Sequence, residues 1–305
     1  MESSLLLPPL RRSLLATPGH IEAKVRKALS LLVDVLMLDL EDGVPDLDEA
    51  KAAARQTVRA ALTECARPQP REIALRVNGP RTRWFLDDLR CAIDLGIRTI
   101  VVPMLYDAGD QLFAHRCLET LGAPASTGLM LLIETPSAVL HLPAIVEAGP
   151  RTNGLIAGGL DYCAGLQSLA ILPVGESPDE RVDEDLVYLR HRVLACARAY
   201  GLSALDAMRP GLLSDLSAFR RDARRARWLG FDGVDFFHPG FVETANEVFT
   251  PSLEEQDWAR QVLEAAAARP AGAPASIKVD GRVLLPQHIA MAQRLQALAL
   301  QIAGG

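Results

Sequence analysis

Lysine is scarce in this chain: 305 residues contain only Lys24, Lys27, Lys51 and Lys278. None closes an apolar run of the kind that forms a core strand, so a Schiff-base nucleophile has no candidate and a covalent lysine aldolase is disfavoured. Cysteine offers no more. Cys65, Cys91, Cys117, Cys163 and Cys196 are odd in number, dispersed and never spaced as C-x-x-C, which argues for reduced thiols and against a disulfide framework or a structural zinc site. The signatures G-x-S-x-G, P-loop and G-x-G-x-x-G are missing as well. No apolar stretch approaches the ~20 residues that cross a bilayer. The N-terminal "SLLLPPLRR" is short, broken by proline, and carries its charge after the apolar run, unlike a signal peptide. A cytoplasmic protein is expected. Basic side chains number 32 against 38 acidic ones, for a net charge of −6. No basic stripe interleaved with aromatics occurs, so nucleic acid is an unsuitable partner and an anionic ligand would need a local basic pocket.

What is present is apolar material in a regular order. Hydrophobic residues make up 49% and charged residues 23%, enough for a sizeable core. The runs "RSLLATPG", "DVLMLDLED", "EIALRVNG", "RTIVVPML", "GLMLLIET", "GLIAGG", "LSALDAM" and "GVDFFHPG" recur with helical stretches between them. Strands alternating with helices predict βαβ units on a parallel sheet, and this many strands before about residue 240 predict a closed (β/α)8 barrel. Asp46 followed by Glu49 reads as a capping box opening the Ala-rich helix "DEAKAAARQTVRAAL". Gly201 reads as the stop of the helix in "DEDLVYLRHRVLACARAYG". Beyond about residue 250 the pattern changes to a capped helix, the Pro/Ala/Gly hinge "RPAGAPAS", a short strand, a turn and a last helix. The division expected is therefore a barrel over residues 1–250 and a small C-terminal element over 251–305.

In such a barrel the chemistry sits at the C-terminal strand ends. The polar residues closing the apolar runs are Arg12, the group Asp39, Glu41 and Asp42, Arg76 with Asn78, Glu134, Asp161, Asp206 and His238. Alternation sorts the second run: Val35, Met37, Asp39 and Glu41 fall on one face and Leu36, Leu38 and Leu40 on the other. The leucine face should meet helices, and the face turning acidic should rise to the barrel mouth, with Asp42 in the loop. A solvated acidic strand end is the competing reading. Glu134 and Asp161 end successive runs, and two carboxylates from neighbouring strand ends are a donor set Mg²⁺ accepts; both residues could equally start helices. Arg76 and Arg12 stand where a solvated arginine is unusual, so each needs a carboxylate partner, a ligand anion, or both.

These motifs, in this order together with "FTPSLEEQDWARQVLEA" and "KVDGR", resemble citrate lyase beta subunit-like proteins of the HpcH/HpaI aldolase superfamily, which includes malyl-CoA and citramalyl-CoA lyases. The resemblance spans nearly the whole chain. It implies a (β/α)8 TIM barrel with a C-terminal lid, a homotrimer, and cleavage or formation of a C–C bond in a coenzyme A thioester, dependent on Mg²⁺ or alternatively Mn²⁺. By matching motif it implies Glu134 and Asp161 as metal ligands, Arg76 as the holder of substrate oxygens and Arg12 as a supporting cation. Asp39 and Glu41 become an orienting acidic shell, and Asp280 in "KVDG" a lid acid/base that reaches a neighbouring subunit.

The chain departs from that pattern at four places. Met104 stands where many relatives carry lysine, Leu160 where a glutamate often precedes the second ligand, "PSAV" follows the "IET" triplet, and "VDGRVLLP" lacks a further aspartate. CoA contacts therefore do not carry over; Lys24 and Lys27 are candidates for CoA phosphates or simply solvated. Two alternatives stay open: a metal-dependent 2-oxo acid aldolase that uses no CoA, and a catalytically weak barrel serving a larger complex.

Overall fold

Residues 8–169, 186–207, 215–270 and 272–304 are described by a computed structural model. All eight expected runs form strands: β1 (Ser13–Pro18), β2 (Val35–Asp39), β3 (Glu72–Arg76), β4 (Thr99–Val102), β5 (Gly128–Ile133), β6 (Thr152–Ala157), β7 (Ser203–Ala207) and β8 (Gly233–Phe236). They pair in parallel in sequence order and close as β8 returns to β1, with Leu14 opposite Asp235. Parallel strands covered on both faces are near-continuously apolar because neither face meets water, and β2 is buried along its whole length.

The interior is filled by inward residues taken from every second position. Leu14, Ala16, Val35, Met37, Ala74, Val101, Met130, Leu132, Ile156 and Leu205 form one buried cluster, and Leu36 and Leu38 are buried outside it. The alternation expected for β2 therefore holds. Polar groups close the N-terminal end of the barrel. The buried Arg11 guanidinium donates to both carboxylate oxygens of Glu72, at 2.9 and 2.8 Å, and to Ser203 Oγ at 2.7 Å. A charge this deep is tolerable only with such partners.

Connecting helices begin and end by local chemistry. Thr135 Oγ1 accepts from Ala138 N–H at 3.0 Å and so caps α5 (Pro136–Glu147). This leaves the neighbouring Glu134 free of capping duty. Gly201, at φ +67°, follows the end of α7 (Val187–Ala199), as expected of a left-handed helix stop. The capping box expected from Asp46 and Glu49 is a correction: α2 (Asp48–Glu64) starts after Leu47, with no side-chain cap. Asp46 instead lies 3.1 Å from Lys51 Nζ.

A compact unit spans Arg11–Asn246, and a second runs from Glu247 onward and takes in residues 8–10. In the second unit, Ser252 and Glu255 form a capping box on α10 (Leu253–Ala267). The hairpin of β9 (Ile277–Val279) and β10 (Arg282–Leu284) turns at Asp280 and Gly281, both at positive φ, and leads to α11 (Pro286–Ala303). Among the described residues no helix is long and apolar enough to cross a membrane.

Candidate active site

The C-terminal strand ends of the barrel surround a cavity of about 280 Å³. Among the described residues lining it are five carboxylates, Asp39, Asp42, Glu134, Asp161 and Asp235, and one cation, Arg76. Glu41 adjoins them through Arg76.

Arg76, the last residue of β3, sits level with Asp39 at the end of β2. Its Nε donates to Asp39 Oδ1 at 2.7 Å and its Nη2 to Oδ2 at 2.8 Å, a bidentate pair in which both side chains are buried. The remaining nitrogen, Nη1, lies 3.0 Å from Glu41 Oε2 and 3.6 Å from Asp42 Oδ2. Backbone N–H groups of Glu41 and Gly43 also donate to Asp39, each at 2.8 Å. Gly43 is required there, because a Cβ would stand 2.5 Å from Asp39 Oδ2. Burial works against the charge on Asp39, but the Arg76 charge and these hydrogen bonds outweigh it and hold the carboxyl below its usual range.

The loop after β2 is held from beneath by Lys51 of α2. Its buried ammonium donates to the carbonyls of Leu40 and Glu41, at 3.1 and 2.9 Å. Sequence reading gave this lysine no role, since it belongs to a helix and ends no strand. Its signal was the rarity of lysine itself.

Glu134 follows β5 and is buried. Its Oε1 accepts the backbone N–H of Met104 at 2.8 Å. A Cβ on Gly158 would approach the Glu134 Cβ to 2.6 Å, so glycine after β6 makes room for the acid. Desolvation first, and then the Glu41 charge, push the Glu134 carboxyl well above the ordinary range. Asp161, in the first turn of α6 (Gly159–Gly165), is exposed at the rim and raised by partial burial and by Asp42. Burial, with Asp42, Asp39 and Asp161 adding to it against Arg76, pushes Glu41 up to about 8. Carboxylates gathered this way against one arginine carry an excess of negative charge that a cation offsets.

The donors are all hard oxygens, which suits Mg²⁺ or a similar ion over softer metals. No group of three or more His, Cys, Asp or Glu side chains converges into a ready cage among the described residues. That also fits Mg²⁺, which keeps several waters and takes one or two protein carboxylates. Glu134 and Asp161 line the same cavity and can supply that pair, leaving the other positions to water and substrate oxygens.

Of the expected site residues, the structure brings Asp39, Glu41, Arg76, Glu134 and Asp161 together. Arg12 is a correction. It precedes β1, so it belongs to the opposite end of the barrel, where its backbone N–H, Nε and Nη2 all donate to the buried carboxylate of Asp34 at 2.8–2.9 Å. Asp206 faces away from the interior and pairs with Arg190 of α7 at 2.9 Å. His238 caps the 3-10 turn Pro239–Phe241, with Nδ1 accepting from Gly240 N–H at 3.2 Å. Asp280 belongs to the second unit.

Asp235 was missed. Within "GVDFFHPG" only the polar terminus His238 drew notice, yet alternation along β8 sends Phe236 outward, against Phe219 and Phe241, and Asp235 inward. Its side chain is buried and lines the cavity. Desolvation pushes it up to about 7, with Arg76 opposing and Asp39 adding to the rise.

The HpcH/HpaI aldolase/citrate lyase family profile matches residues 12–239. The citrate lyase subunit beta of Escherichia coli (strain K12) is 30% identical over 281 residues, 90% of this chain and 88% of that one. A (3S)-malyl-CoA thioesterase of Cereibacter sphaeroides is 31% identical, covering 96% of this chain and 95% of the other. Among solved structures, a citrate lyase beta subunit from M. tuberculosis complexed with oxaloacetate and magnesium is similar with a TM-score of 0.65 and 25% identity, over 81% of this chain and 98% of that one. The barrel, the carboxylate-rich mouth and these similarities lead to one conclusion: the chain belongs to the HpcH/HpaI aldolase/citrate lyase family and is a citrate lyase beta subunit-like enzyme.

Proposed function

We propose that the chain is a Mg²⁺-dependent carbon–carbon lyase that splits, or forms, a 3-hydroxyacyl thioester of the malyl-, citramalyl- or citryl-CoA type, giving an acyl thioester and an oxo acid. The observation that carries this reading is the convergence of Glu134, Asp161 and Arg76 on one cavity whose other charged lining residues, Asp39, Asp42 and Asp235, are all acidic. Glu134 and Asp161 are the residues that would hold the ion. Magnesium, when bound, supplies positive charge to the oxygens of the oxo-acid half.

Cleavage beside a thioester leaves negative charge on the departing enolate, so groups that meet charge only as it develops contribute most. Arg76 meets that requirement through Nη1, because its other two donor positions are fixed by Asp39. Asp39 and Glu41 orient the guanidinium, and Lys51 orients the loop that carries Glu41 and Asp42. Asp280 serves as the acid/base, delivered across a contact between copies in a trimer, with residues 251–305 acting as the lid. That role is physically suited to a carboxyl on an exposed hairpin turn.

The test is a panel of 3-hydroxyacyl-CoA thioesters incubated with and without Mg²⁺, following oxo acid and free thiol separately. Mg²⁺-dependent oxo acid without free thiol, abolished in Glu134→Ala, is the expected outcome. Free thiol in step with a hydroxy acid would instead make the protein a thioester hydrolase, a reading favoured by its likeness to the malyl-CoA thioesterase. Turnover of free hydroxy-oxo acids without a thioester would identify a CoA-independent aldolase.

A further inference from the structure

The cavity wall contains a carboxyl to which the reading above gives no work. Asp235 is 5% exposed, and its Oδ1 is buried with no hydrogen-bond partner among the described residues. Leaving a buried polar oxygen unpaired is costly, so such a group in a substrate cavity points to a partner that arrives with the ligand. Small residues neighbour it on the inward face: Ala207 is its register partner on β7, and Ala16 lies two residues beyond its partner Leu14 on β1. Both also line the cavity, so space, as well as polarity, is provided beside the carboxyl.

The surrounding charge narrows what that partner can be. A substrate carboxylate placed there would meet the charges of Asp235 and Asp39, while the one Arg76 nitrogen not committed to Asp39, Nη1, is the one the proposed reaction uses. A methyl group would leave the oxygen desolvated and unpaired. A hydroxyl satisfies it whether the carboxyl is ionised or neutral, because it both donates and accepts. Burial that pushes the group up to about 7 makes both forms available near neutrality.

We propose that Asp235 is a specificity-determining residue that receives a hydroxyl group of the substrate's oxo-acid portion, so that the preferred oxo acid carries a hydroxyl where pyruvate has only hydrogen and oxaloacetate has a carboxylate. The inference rests on the cavity being an oxo-acid site as proposed above. It deepens that reading by naming the substrate class.

Binding of 3-hydroxypyruvate, pyruvate and oxaloacetate, measured calorimetrically on the full chain with saturating Mg²⁺, tests it. The expected result is a preference of about tenfold or more for 3-hydroxypyruvate over the other two, reflecting a hydrogen bond to a buried acid. Asp235→Ala should abolish the preference while retaining pyruvate binding, and the isosteric Asp235→Asn should reduce it. A wild-type protein that binds oxaloacetate or pyruvate as tightly as the hydroxylated acid overturns the inference and leaves the lyase reading standing, as does a preference unchanged in both variants. Absence of Mg²⁺-dependent binding of every oxo acid by the wild type overturns both. Because the wild-type ranking is decisive by itself, the outcome does not depend on the variants folding.

Discussion

Met104 donates its backbone N–H to Glu134 Oε1 at 2.8 Å from a left-handed conformation, φ +51°, that costs a non-glycine side chain about 1 kcal/mol or more. A side chain seen in the sequence as a departure from the family pattern thus acts through its main chain. Met104→Gly keeps the donor and relieves the strain; part of the gain is returned as unfolded-state entropy. Its Mg²⁺ affinity should stay within about twofold of wild type, a margin of roughly 0.4 kcal/mol. Met104→Pro removes the donor and cannot reach that φ. It should weaken Mg²⁺ binding by about tenfold or more, the worth of a hydrogen bond to a charged group. Calorimetric Mg²⁺ titration of the two variants distinguishes a backbone role from a side-chain one, because loss in the glycine variant would assign the work to the thioether.

The bidentate Asp39–Arg76 pair predicts a split between chemistry and metal. Asp39→Asn keeps one acceptor but loses the charge that fixes the guanidinium, and weakening a buried pair costs about 3 kcal/mol of stability. Turnover should fall at least about tenfold as Arg76 leans toward Glu41 and Asp42. Mg²⁺ affinity should change less than about threefold, because Asp39 contacts arginine and backbone N–H groups. Equal losses in kcat and metal affinity would place Asp39 among the ligands.

The barrel was legible because its signals are local and repeated: each apolar run and the alternation of β2 could be read without knowing what lay across the interior. Asp39, Arg76, Glu134 and Asp161 followed from asking which polar residues end strands. The same question misled at Arg12, which begins a run instead of ending it, and strand direction decides which end of a barrel a residue occupies. Asp235 was hidden for a different reason. It lies within a short apolar run, and only the inward–outward alternation of β8 distinguishes it from its phenylalanine neighbours. Partners far apart in sequence, such as Met104 behind Glu134, leave no local trace.

The correction at Arg12 carries its own expectation. Arg12→Ala leaves the buried Asp34 with Arg71, whose Nε is 3.4 Å away and whose side chain is partly exposed. The cost should be about 3 kcal/mol in denaturant unfolding, the range for a broken buried pair. Mg²⁺ affinity and the KM for substrate should remain within about twofold of wild type, because the site lies at the other end of the strand. A large KM increase with little loss of stability would return Arg12 to the mouth.

Asp235 makes stability depend on pH in a direction opposite to the usual salt-bridged acid. Its folded value is pushed up to about 7, chiefly by burial, whereas an unfolded aspartate titrates near 3.9. Below about pH 4 both states are protonated and the group costs nothing. As pH rises from about 4 to 7 the unfolded state releases its proton first, so stability falls, and above about 7 both states are ionised and the loss is complete at roughly 4 kcal/mol. Asp235→Asn carries no charge in either state and should lose this dependence. In Mg²⁺-free urea unfolding the variant should match wild type near pH 5 to within about 1–2 kcal/mol and exceed it near pH 8 by a few kcal/mol. A constant difference across that window would mean that the carboxyl titrates normally in the folded barrel, with water reaching the oxygen that the structure leaves unpaired.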